Sequence, residues 1–144
     1  MIAIDTNILV YAHRKDSEWH EESKQIIKSL AETEASWVIA SHALIEFYSI
    51  VTHPRIYLPP SSPLQARNQI MAWLACPSLT LANTSQKSIE NLFSQAEKKR
   101  IVGSQIHDLR IATDCEYAGS EVLWSADRDM SRVSGIKVEN PLIK

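Results

Sequence analysis

Five short apolar runs punctuate the chain: Ile2–Asp5, Trp37–Ala40, Leu79–Ala82, Val122–Ser125 and Ile136–Val138. Most are continuous rather than alternating, the pattern of strands covered on both faces, as in a parallel sheet. Between them the apolar positions adopt helical spacing. In "SEWHEESKQIIKSLAE", Trp19, Ile26, Ile27 and Leu30 share a stripe. In "SHALIEFYSIVTHP", Ser41 is placed to cap a helix that Pro54 ends. In "SSPLQARNQIMAWLACP", Pro63 suits a first turn, and Leu64, Ala66, Ile70, Met71 and Leu74 supply apolar surface. In "TSQKSIENLFSQAEKKR", Thr84 is the candidate cap, with Ile89, Leu92, Phe93 and Ala96 expected to face inward. The last long helix, "SQIHDLRIATDCEYAG", closes on Gly119.

Strand and helix in alternation predict an α/β domain built on a central parallel sheet. The Pro-rich stretch "HPRIYLPPSSP" is a loop between two helices rather than a domain boundary, so 1–144 reads as a single domain. The composition, 44% apolar and 22% charged, is that of an ordinary globular chain. No run approaches the roughly 18 apolar residues of a membrane span. No leader is expected, since the N-terminal segment lacks a basic start and Asp5 interrupts its apolar run. Cys76 and Cys115 lie in apolar-patterned segments and read as buried, reduced thiols of a cytoplasmic protein. With a net charge of −2, nucleic acid is bound only through a local basic patch or metal ions.

Acids stand where such a sheet would gather a ligand, beyond the C-terminal ends of its strands. Asp5 ends the first run, and Asp127 and Asp129 follow the fourth in "EVLWSADRDMS". Glu46 sits in "ALIEFYSIV", where a lone acid ordinarily marks the solvent stripe of a helix. Asp108 falls in an early helical turn, where the dipole alone favours an acid, and Arg110 with Asp114 reads as a surface i, i+4 pair. Convergence of Asp5, Glu46, Asp108, Asp127 and Asp129 on one pocket would crowd anions that need protons or divalent cations. Oxygen ligands suit Mg²⁺ or Mn²⁺, and the five histidines show no zinc spacing. Two such ions about 4 Å apart hydrolyse phosphodiesters. Glu46, among apolar neighbours, is the acid expected to be raised first.

The blocks "IDTNIL", "LIEFYSIVTHPRIY", "IHDLRIATDCEYAG", "VLWSADRDM" and "GIKVENPL", in this order from Met1 to about Leu142, resemble the PIN-domain ribonucleases, and more narrowly the VapC toxins of toxin–antitoxin pairs. The resemblance implies a three-layer α/β/α sandwich with a five-stranded parallel sheet. It implies Asp5, Glu46, Asp108 and Asp127 as catalytic acids with Asp129 as a further member, and Asp5, Asp108 and Asp127 as metal ligands. Thr6, Asn7 and Ser125 would support those acids from behind, and Met130 stands where Phe is usual. A Mg²⁺- or Mn²⁺-dependent endoribonuclease follows, cutting structured RNA such as tRNA or ribosomal RNA. It would be neutralised by a VapB-type antitoxin and would form a homodimer. Trp19, Phe47, Tyr48, Ile56 and Tyr57 are candidates for the antitoxin groove, the first three being equally read as core. RNA contact falls to Arg14, Arg110 and above all Arg128, with Lys15 and the Lys98–Arg100 run as further cations.

Two other readings compete. "VLWSADRDMS" matches the Asp-x-Asp-x-Ser motif of haloacid-dehalogenase phosphatases, but it lies on a late strand, with too little chain after Ser131 for the later lysine and acids. A catalytically weak binding module would lack one of the acids, and each of them is present.

Overall fold

The structure, a computed structural model, describes residues 1–143. Strands β1 (Ile2–Ile4), β2 (Trp37–Ala40), β3 (Leu79–Ala82), β4 (Val122–Trp124) and β5 (Lys137–Glu139) form one parallel sheet in the order β3-β2-β1-β4-β5. Their residues are the expected apolar runs, shortened where polar groups take over. β2 is buried along its whole length. The edge strand β5 starts one residue later than the pattern suggests, because Ile136 is already buried before the ladder begins. The exposed Lys137 and Glu139 pair at 2.9 Å along that edge, charges that discourage another strand from adding to it.

Seven helices connect the strands: α1 (Thr6–His13), α2 (His20–Glu32), α3 (Ser41–Val51), α4 (Pro63–Leu74), α5 (Gln86–Lys99), α6 (Gln105–Tyr117) and α7 (Met130–Val133). From β1 the chain steps outward through β2 to β3, then crosses back to β4 and β5. Right-handed crossovers therefore put α1 to α4 on one face and α5 to α7 on the other. The packing agrees: α1 lies on α2 and α3, α3 on α4, α5 on α6, and α6 on α7. The result is the three-layer α/β/α sandwich. Ala3, Ile4, Val38, Ile39 and Leu123 of the sheet meet Ile8, Leu9 and Phe47 with Ile111, Ala112 and Cys115 in one continuous core.

Helix α1 is invisible to periodicity because Thr6, Ile8, Leu9 and Val10 are all buried, which leaves no polar stripe. Other helices form where expected but turn differently. Ser41 is not a cap: α3 begins on it and Ala40 holds the cap position without a side-chain bond. Ser85, not Thr84, caps α5 through a reciprocal pair with Ser88. Ile89 and Phe93 are exposed on α5, as are Leu64, Met71 and Leu74 on α4, where Trp73 turns inward against the Phe47 ring at 4.9 Å. Trp19 is half-buried at the head of α2. Gly119 ends α6 at φ +97°, a conformation open to glycine and costly to other residues. Met130 is fully buried, filling its apolar slot. Both thiols are free; Cys115 is buried as expected, while Cys76 is only half-buried.

Candidate active site

The connection out of β1 runs toward β2 and the connection into β4 arrives from β3, so the sheet changes winding direction between β1 and β4. A crevice opens beyond the C-terminal ends of two such strands. Asp5 follows β1 and Ser125 follows β4, and the two meet there. Asp5 caps α1, its Oδ1 accepting the Thr6 backbone N–H at 2.8 Å. Its Oδ2 accepts the Ser125 hydroxyl at 2.7 Å. Ser125 Oγ in turn accepts the Asp127 N–H at 3.0 Å and the Asn7 amide at 3.1 Å. Asn7 Oδ1 accepts the Ala126 N–H at 3.1 Å. One donor proton and two lone pairs of a serine hydroxyl are thereby all used. This knot ties the two strand ends together and fixes the direction of Asp5 and Asp127.

The remaining acids arrive on helices. Glu46, on α3, accepts the Thr6 hydroxyl at 3.1 Å. Asp108 stands in the first turn of α6, half-buried. Asp127 Oδ1 accepts the Asp129 N–H at 2.9 Å, while the Asp129 side chain turns outward to Arg132 at 3.2 Å. Asp129 is thus at the edge of the group rather than inside it.

The acids act on one another's charge. Burial pushes the Asp5 carboxyl up from 3.8 to about 6, against the lowering effect of the Ser125 and Thr6 hydrogen bonds, and the charges of Asp108 and Glu46 push the same way as burial. Burial raises Asp108 too, followed by the charges of Asp127 and Glu46. Asp5, only 4% exposed, is the most deeply buried of these acids, while Glu46 is half-buried. Among the described residues, none of Asp5, Glu46, Asp108 and Asp127 has a lysine or arginine in ion-pair contact. A buried carboxylate beside other carboxylates, without a counter-cation, is a costly arrangement unless a cation or proton joins it.

The residues fit a hard divalent ion in their chemistry. The groups that Asp5, Glu46, Asp108 and Asp127 offer are all carboxylate oxygens, and the buried Asp5 carboxyl, though hydrogen-bonded to Thr6 and Ser125, has no lysine or arginine in ion-pair contact among the described residues. Among the described residues, no three His, Cys, Asp or Glu side chains close into a finished metal cage.

The three candidate arginines separate. Arg14 lies at the far end of α1, about 14 Å along the helix from Asp5 at about 1.5 Å per residue. Its guanidinium is committed to Asp16 at 2.7 Å, to the Pro59 carbonyl at 3.0 Å and to the Tyr57 ring face at 4.3 Å. It lines a cavity of about 470 Å³ with His13, Lys15 and Ser61, and its bonds pin the Pro-rich loop to α1. The structure does not bring Arg14 to the acids. Arg110 is near them, but Nε donates to the Thr84 hydroxyl at 3.0 Å and faces Asp114 at 3.8 Å. Asp114 is not the surface partner its spacing suggests: its side chain is 2% exposed and accepts the Thr84 hydroxyl at 2.6 Å, tying α6 to the start of α5. Arg128 is exposed beside Asp127. Two histidines went unremarked in sequence. His42, one turn before Glu46, stacks on His107 with ring centroids 5.3 Å apart, bridging α3 and α6 beside the acids. The i, i+4 spacing of His42 and Glu46 on one helix face was the available signal.

The chain and its fold have counterparts among known proteins. Ribonuclease VapC43 of Mycobacterium tuberculosis is 28% identical over 144 residues, covering 99% of this chain and 96% of the relative. The crystal structure of VapBC2 from Rickettsia felis, bound to a DNA fragment from their promoter, superposes with a TM-score of 0.67 at 23% identity, covering 97% of this chain and 98% of that one. VapC20 of Mycobacterium tuberculosis, described as a Sarcin-Ricin loop cleaving toxin, gives a TM-score of 0.70 at 12% identity, covering 91% of this chain and 93% of that one. The PIN domain model matches residues 2–136, nearly the full length, and the chain belongs to the PIN domain family.

Proposed function

We propose that this protein is a divalent-metal-dependent endoribonuclease of the VapC type, acting in the cytoplasm on structured RNA and held in check by a VapB-type antitoxin. The observation that carries the reading is the mutual influence of Asp5, Glu46, Asp108 and Asp127 at the switch of sheet winding, with no lysine or arginine in ion-pair contact with them among the described residues. The names of the relatives support it: ribonuclease in one case, a Sarcin-Ricin loop cleaving toxin in another.

Asp5, Asp108 and Asp127 are the residues that would hold Mg²⁺ or Mn²⁺, with Glu46 and Asp129 on the flanks. Bound there, such ions supply a water acidic enough to attack at neutral pH and charge to steady the departing oxygen. The chain's own contribution is orientation. Ser125 and the Thr6 N–H each occupy one oxygen of Asp5, which locks its carboxylate plane. Asn7 holds Ser125 and the Ala126 N–H, and so fixes the turn that delivers Asp127. Supporting bonds of this kind are worth about ten- to a hundredfold in activity at metal sites. The Thr6 hydroxyl holds Glu46 toward the same crevice.

For the antitoxin and a homodimer partner, α3 and α4 offer exposed Ile45, Tyr48 and Leu64 around an apolar groove of about 470 Å³. Of the groove candidates named from sequence, Phe47 is fully buried and takes no part, whereas Tyr48 and Ile56 are exposed. No described helix is long and apolar enough to cross a membrane. The test is cleavage-site mapping on total RNA, first with Mn²⁺ and then with chelator. A few discrete cuts that vanish with chelator are expected, and intact RNA under both conditions would end the nuclease reading.

A further inference from the structure

On the β5 side of the acids lies a cavity of about 370 Å³ whose wall includes Ser125, Asp127, Arg128, Ser131, Arg132 and Asn140. Whatever fills it touches Asp127 and therefore the acid group. Its volume is at the low end of small-molecule sites, the scale of one nucleotide. The wall is mixed, with Ala126, Val138 and Ile143 adding apolar surface that a base or sugar could cover, and it carries two guanidinium groups whose donors are barely used. The Arg128 side chain has no hydrogen-bond or ion-pair partner among the described residues; only its backbone carbonyl is engaged, by Ser131. Arg132 is 80% exposed and is held only by Asp129, itself 68% exposed, at 3.2 Å. Exposed pairs of this kind are readily exchanged for a better partner. Arg14, by contrast, is engaged by Asp16, Ser61 and Pro59, and Arg110 is held at Nε by Thr84 and faces Asp114. Asn140 Oδ1 accepts the Leu142 N–H at 3.0 Å, which fixes the amide and leaves its NH₂ to donate.

We infer that this cavity seats the nucleotide next to the scissile phosphate, with Arg128 and Arg132 gripping its backbone phosphate and the Asn140 amide donating to its sugar or base. The inference rests on the ribonuclease reading and names where that substrate is held. A chain of net charge −2 has few places where phosphate is welcome. The guanidinium fork matches a phosphate in two-point contact, and here two forks flank the one wall that continues into the acids. Because the grip is on backbone and one edge of a base, it adds affinity and register more than sequence choice.

The test measures binding of a fluorescent single-stranded oligoribonucleotide by anisotropy, in chelator so that no bond is cut, across a series of NaCl concentrations. Wild type, Arg132→Ala and Arg128→Ala/Arg132→Ala are compared, with melting temperatures as the folding control; both side chains are exposed, so the melts should coincide. The double variant should bind about tenfold more weakly or worse. Its plot of log affinity against log salt should be shallower by about 0.7 for each phosphate no longer neutralised. Arg132→Lys should keep the salt slope while losing part of the affinity. Unchanged affinity and slope in the double variant, with wild type still cutting RNA in Mn²⁺, would overturn the inference and leave the nuclease reading standing. Wild type that neither binds nor cuts RNA would remove both. Normal RNA binding combined with escape from a protein inhibitor would make the cavity a peptide seat and also overturn the inference.

Discussion

Replacing Asp5 with Asn removes RNA cleavage and makes the metal-free protein more stable. Removing a hydrogen bond that merely supports a ligand already costs ten- to a hundredfold at a metal site, so losing the central carboxylate should cost at least about a hundredfold. The stability gain follows from linkage. The folded-state value of about 6 lies above the unfolded 3.8, so between those values the folded chain keeps a proton that the unfolded chain releases. For a carboxyl raised on folding, stability is greatest below 3.8 and declines as pH climbs to about 6, beyond which the full cost remains. At 1.36 kcal/mol per pKa unit, that cost is up to about 3 kcal/mol at neutral pH. Asn keeps the shape and the acceptor for Thr6 and carries no charge, but its NH₂ cannot accept the Ser125 hydroxyl, a loss of about 1 kcal/mol, so apo Asp5→Asn should melt higher than apo wild type at pH 7 by up to about 7 °C. Its advantage should disappear at pH 4. Adding Mn²⁺ should raise the melting temperature of wild type and leave the variant where it was. Thermal melts over pH, with and without metal, check each part; an apo variant that is grossly unfolded would contradict the account.

Asp114→Ala should have the opposite effect. Asp114 is buried, accepts the Thr84 hydroxyl at 2.6 Å and balances Arg110. Truncation leaves the half-buried Thr84 hydroxyl searching for an acceptor and a half-buried guanidinium without its acid. Breaking such an arrangement costs about 2–3 kcal/mol, with Arg110 partly relieved by solvent. The melting temperature should drop by about 6–12 °C. Metal-dependent stabilisation should survive, since Asp114 takes no part in the knot formed by Asp5, Asn7 and Ser125. Asp114→Asn, which retains an acceptor for Thr84, should recover part of the loss. A loss below about 0.5 kcal/mol, the scale of an exposed i, i+4 pair, would restore the surface reading of Arg110 and Asp114.

These two acids mark what was legible in the chain and what was not. The strands were readable because a two-face-buried parallel strand leaves nothing polar inside it, as "WVIA" illustrates. Asp5 was readable for the complementary reason: a charge ending an apolar strand has to be accommodated. The order of the acids carried the family resemblance, and the family match covers residues 2–136. Helix α1 was unreadable because burial on nearly every side erases the period that reveals a helix. On α5 periodicity marked a stripe but not its centre: Leu92 and Ser88 turn in, and Phe93 stays 59% exposed. Asp114 looked like a surface acid because i, i+4 spacing reports only on its own helix; the Thr84 loop that buries it is 30 residues away in sequence. Stacking of His42 on His107 likewise depends on how α3 and α6 approach, which local pattern does not encode.

The end chemistry of the cut RNA, read in Mn²⁺ and in chelator, tests the central claim most directly. If carboxylate-held cations deliver a water to the phosphorus, cutting occurs only with metal, leaves phosphate monoester and hydroxyl ends, and is lost in Asp108→Asn. Cutting that persists in chelator and leaves 2′,3′-cyclic phosphates would mean that the ribose hydroxyl attacks instead. The chemistry would then pass from the acids to the stacked histidines His42 and His107.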